Sequence, residues 1–161
     1  MATFAAGQRV TASALNNSVS VIVGGQSRST ATPTSGTTEL QVVSTGALSL
    51  DASSLYAIEY SYNGSTNSGI VERWGQRIRK TSVAGTQLAV HVISAASTAS
   101  DPEGSVLTFL YITTAPEVTT FVGTIARLTS NSAPNTLTNS ILGDCFITVT
   151  RQGSSSVVTT V

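Results

Sequence analysis

Leu55-Tyr56-Ala57-Ile58-Glu59-Tyr60-Ser61-Tyr62 is the stretch that decides the fold. In an extended chain successive side chains point to opposite faces, so Tyr56, Ile58, Tyr60 and Tyr62 share one side and Ala57, Glu59 and Ser61 the other. A helix would scatter those aromatics around its axis. The stretch therefore predicts a strand with an inward-facing aromatic side.

Working outward, similar short runs of alternating apolar and polar residues recur, separated by Gly, Asn, Asp, Pro and Ser. They predict strands at 39–43, 47–50, 55–62, 69–80, 87–93, 106–113, 119–127 and 145–151, with a candidate ninth at 156–161. The fold class is all-β: an antiparallel β-sandwich or jelly roll of about eight strands. The run 63–69, rich in Asn, Gly and Ser, predicts a hairpin loop joining the tyrosine strand to the next. Asp101-Pro102-Glu103-Gly104 predicts a second turn, while 94–100 and 129–139 read as wider connections.

Composition agrees with this. Ser and Thr fill roughly three positions in ten, yet 40% of the 161 residues are hydrophobic, enough apolar surface to offset chain entropy. Eight basic and eight acidic residues cancel and charged residues make up 10% of the chain, which argues against nucleic acid or an anionic membrane as partner. Only Cys145 carries a thiol, so neither an internal disulfide nor a cysteine zinc site can form. No run reaches the ~20 apolar residues of a membrane-crossing helix, and the opening lacks a secretory signal pattern, so the chain is expected to be soluble when made.

Ahead of the strands, Thr11 or Ser13 can cap a helix of about two turns toward Val19. A helix that short is marginal alone, so Phe4, Val10, Leu15 and Val19 are expected to dock on a partner surface. Residues 24–38 have no hydrophobic period and read as a linker. The expected division is a docking arm at 1–23, a linker at 24–38 and a β domain at 39–161.

Residues able to carry chemistry are few. His91 is the only histidine, leaving no second imidazole for a metal pair, and it reads as a structural or rim residue. Glu59, Glu72 and Asp144 lack the marks of an acid–base pair. No phosphate-binding glycine loop or serine elbow occurs, so no enzyme activity and no cofactor are expected. Trp74 reads as a core tryptophan ahead of a sugar-stacking platform. Arg73, Arg77, Arg79 and Lys80 form the one basic cluster. They read as a solvated strand face paired with acids, or as an interface using arginine forks.

The run Phe4-Ala5-Ala6-Gly7-Gln8-Arg9-Val10-Thr11-Ala12-Ser13-Ala14-Leu15-Asn16 resembles the opening of small virion proteins of tailed bacteriophages, especially those infecting actinobacteria. A second likeness runs through Leu55-Tyr56-Ala57-Ile58 and Arg77-Ile78-Arg79-Lys80-Thr81-Ser82-Val83-Ala84-Gly85-Thr86, as in phage domains where a tyrosine strand precedes an arginine-bearing strand and a Gly-Thr turn. The resemblance implies a virion structural protein: an arm that docks on the particle and a β-sandwich that projects or trimerises. A tail-associated component, minor tail or fibre-like, is the leading expectation, with a capsid decoration protein and a cell-surface glycan binder as alternatives. The partners implied are further copies of the chain, in a homo-oligomer expected to be a trimer by analogy with phage fibres and capsid decoration proteins, and other virion proteins of tail or capsid.

Overall fold

The computed structural model describes residues 21–28, 38–65, 72–95, 102–128 and 145–154, all in strands or the turns between them. Among the described residues there are ten strands: β1 (Val21–Arg28), β2 (Leu40–Ser44), β3 (Leu48–Leu50), β4 (Ser54–Ser65), β5 (Glu72–Lys80), β6 (Gln87–Ala95), β7 (Pro102–Thr113), β8 (Glu117–Thr119), β9 (Phe121–Arg127) and β10 (Cys145–Ser154).

Their pairing follows one rule. β5 pairs with β6, β4 with β7, β3 with β8, β2 with β9 and β1 with β10, every pair antiparallel. The chain is thus one long hairpin whose tip is the turn between Lys80 and Thr86, where the Lys80 amide donates to the Thr86 carbonyl at 2.9 Å. Lateral pairing of β10 with β4 and of β5 with β9 rolls that hairpin up. Two four-stranded sheets result, β1-β10-β4-β7 and β2-β9-β5-β6, with β3-β8 as a small third ladder. This nested connectivity is that of a jelly roll.

The sheets pack face to face over the side chains that the alternation pointed inward. Tyr56, Ile58, Tyr60 and Tyr62 from β4 are buried, as are Ile147 and Val149 from β10, and opposite them stand Trp74 and Ile78 from β5 and Phe121 and Ile125 from β9. Tyr60 and Tyr62 meet edge to face, their ring centroids 6.5 Å apart. Gln76 is the polar exception at this layer: fully buried, its amide donates to the Tyr60 carbonyl at 2.9 Å and the Ser105 carbonyl at 3.3 Å, tying the two sheets together.

Several expectations are corrected. Residues 21–28, assigned by composition to the arm and linker, form β1 and pair with β10 from Val21↔Arg151 to Arg28↔Cys145. The tyrosine strand does not form a hairpin with the next one: β4 continues to Ser65 and pairs with β7, and β5 belongs to the other sheet. The turn expected at 101–104 is the start of β7, with Pro102 opposite Ser65. The run expected as one strand at 119–127 divides into β8 and β9. The expected short helix lies outside the described residues, as does the candidate strand at 156–161.

Candidate functional site: an open sandwich edge

The basic cluster resolves into two separate structures. Alternation puts Arg77 and Arg79 on the outer face of the β2-β9-β5-β6 sheet, and there both meet Glu39. Arg79 grips its carboxylate with Nε and Nη2 at 2.5 and 2.6 Å, while Arg77 Nη1 stands 3.6 Å away. The Thr124 hydroxyl donates to the same carboxylate. Arg77 also lies over Gly75, where an added Cβ would meet its guanidinium at 3.0 Å. These long side chains roof the sheet beside the outward-facing Val122, Thr124 and Ala126 of β9, which are buried like the rest of that strand. Burial alone would raise the Glu39 pKa, but hydrogen bonds from Arg79 and Thr124 and the charge of Arg77 outweigh it and hold the carboxyl below its ordinary value.

Lys80, the next residue after Arg79, points the other way. It meets Glu117 at 2.7 Å and the Tyr111 hydroxyl, and the Tyr111 hydroxyl donates to Glu117. The ammonium also lies 5.0 Å from the centroid of the Tyr111 ring. Glu117 and Tyr111 raise the Lys80 pKa; in Glu117, burial is outweighed by these same hydrogen bonds and the carboxyl titrates below its usual range. Arg73 is exposed at the start of β5, its carbonyl accepting from the Leu128 amide at 2.8 Å. The four cations therefore do not form one patch. Phe4, Val10, Leu15 and Val19 lie outside the described residues.

Trp74 is buried, as are Tyr56, Tyr60 and Tyr62, so none of them offers a stacking surface to a sugar. No group of three metal-ligating side chains comes together among the described residues. His91 is exposed on β6, its Nδ1 2.7 Å from the Ser105 hydroxyl of β7. That contact marks where two sheet edges run side by side.

This edge is the surface that sequence reasoning missed. β6 ends one sheet and β7 the other, both at the same side of the sandwich. Between Gly104 and Pro116 there is no charged residue, and β6 carries none either. Outward-facing Val106 and Leu110 are 57% and 59% exposed, with Ile112 exposed on the same face, while Val90 and Val92 of β6 are exposed on the outer face of the other sheet, opposite Arg77 and Gly75. Leu107, Phe109 and Tyr111 face inward, and yet they are only partly buried; among the described residues no strand lies beyond β7. Among the described residues the core is open along this side. The signal was present in the sequence as the uncharged run 104–116, but alternation alone cannot tell an edge strand from a central one.

No protein-family model matches the chain, and no curated protein matches it by sequence. Solved structures of infectious bursal disease virus are similar in fold. For one, of the Gx strain, identity is 12% and the TM-score 0.44, over 85% of this chain and 36% of the viral chain. For the VP2 subviral particle of the same virus the values are 12% and 0.40, over 84% and 38%. The chain thus spans little more than a third of these neighbours' length, and similarity at this level carries no functional argument.

Proposed function

We propose that this chain is a non-enzymatic structural protein of a bacteriophage particle, a tail-associated component that works as a homo-oligomer. The observation that carries the reading is the open edge. A jelly roll with one outer face roofed by the Glu39 arginines presents, among its described residues, a β7 edge that carries no charge from Gly104 to Pro116 and leaves Val106, Leu110 and Ile112 exposed, which suits a domain assembled against protein neighbours. Assignment to a phage rests on the resemblance of residues 4–16 to the openings of small phage virion proteins, and the choice of the tail on minor tail proteins and tail-fibre starts being among them.

The test is to separate heads from tails of purified particles and look for the protein by mass spectrometry. Recovery with the tails is the expected result. Recovery with heads alone would make it a capsid decoration protein, and absence from particles would end the virion reading.

A further inference from the structure

We propose that a second copy of this chain covers the open edge, its β7 pairing antiparallel with β7 of the first across a twofold axis. The inference deepens the reading above and rests on it only for the expectation that the chain self-associates. An isologous contact of this kind builds a dimer, in place of the threefold assembly that fibres suggest.

Three observations carry it. β7 is twelve residues long and pairs with β4 from Ser54↔Thr113 to Ser65↔Pro102 without a register shift, so its free edge is a straight, regular template. The opposite edge of the same sheet is blunted: β1 shifts register between Ile22 and Gly24. Natural edge strands are protected against pairing by charges, prolines or bulges. Within β7, the stretch after Glu103 has none of these.

The edge is also matched to itself. An antiparallel pairing centred on Phe109 sets Thr108 opposite Leu110 and Val106 opposite Ile112, none of them charged; the charge on that face is Glu59 of β4, opposite Thr108 and one strand removed from the free edge. A partner with a charged edge would have to desolvate those charges against valine and leucine. A copy brings none. Its strand also covers Leu107 and Phe109, which the described residues bury only in part.

Light scattering on the full-length protein tests this together with two double variants of exposed positions. Wild type is expected at twice the chain mass. Thr108→Arg/Leu110→Arg places arginine opposite arginine twice and is expected to halve that mass, whereas Thr108→Arg/Leu110→Glu places opposite charges across the axis and keeps the dimer. Circular dichroism checks that both are folded. A monomeric wild type, or equal masses for the two variants, overturns the proposal. Co-sedimentation with particles, run on the same samples, separates the two readings. A dimer that ignores particles overturns the virion role alone, and a monomer that binds them overturns only this interface.

Discussion

The ring of Tyr60 lies against the backbone of Gly123: a Cβ built at Gly123 would stand 2.7 Å from Tyr60 Cδ2 and Cε2 and 2.7 Å from Val43 Cγ2. Glycine is required there because the Tyr60 ring of the opposite sheet and the Val43 side chain of the neighbouring strand both pack onto its backbone. Gly123→Ala is expected to cost about 1–3 kcal/mol, the range for overpacking a close-packed core, read as a lower denaturation midpoint. An unchanged midpoint would mean that the sheets have room to part.

Glu39 joins the loop before β2 to β5 and β9. Glu39→Gln keeps the shape and removes the charge that Arg77 and Arg79 share, and is expected to cost about 1–2 kcal/mol, the charged hydrogen-bond range reduced for partial exposure. Chemical denaturation measures it. A variant as stable as the wild type would mean that the arginines roof β9 by packing alone.

Stability is expected to fall at both ends of the pH scale. Glu39 and Glu117 titrate below the ordinary 4.5 in the folded state, so below that value the unfolded chain binds protons first and the stabilisation is lost as pH falls through the folded values. Burial, with smaller contributions from Cys145, holds the Tyr60 and Tyr62 phenols neutral well above the ordinary 10.0. Above pH 10.0 the unfolded phenols therefore release protons that the folded ones keep, and stability falls again. Thermal midpoints across pH 3–11 are expected to trace a plateau with two shoulders, and Glu39→Gln to soften only the acid one.

Gln76→Leu removes the bridge between the sheets while preserving much of the volume. It is expected to cost about 1–3 kcal/mol, because the amide's bonds to the Tyr60 and Ser105 carbonyls go unreplaced in a buried layer. A neutral effect in thermal unfolding would show that those carbonyls are satisfied by the strand ladders alone.

The inward faces were legible because alternation is a local signal, and Tyr56, Tyr60, Tyr62 and Trp74 are buried as it requires. Pairing was not, since it depends on residues far apart in the chain. Asn63 and Gly64 look like a hairpin turn, yet they pair with Gly104 and Glu103 inside the β4–β7 ladder. Pro102 reads as a turn former, but proline is tolerated at the first residue of an edge strand, and that is its place in β7. β1 was hidden by Gly24 and Gly25, which composition assigns to a linker. A Cβ at Gly25 would stand 2.8 Å from the Ile147 carbonyl oxygen, so the glycine permits the approach to β10. The arginines were found and their partner was not, because Glu39 lies 40 residues from Arg79. The open edge emerged only once β6 and β7 were seen to end their sheets side by side.

The most direct test of the account is co-sedimentation of the purified full-length protein with phage particles from which it has been deleted. Saturable binding that is lost when residues 1–20 are removed is the predicted result. Failure to bind such particles at any concentration, with the protein folded, would contradict a role in the virion.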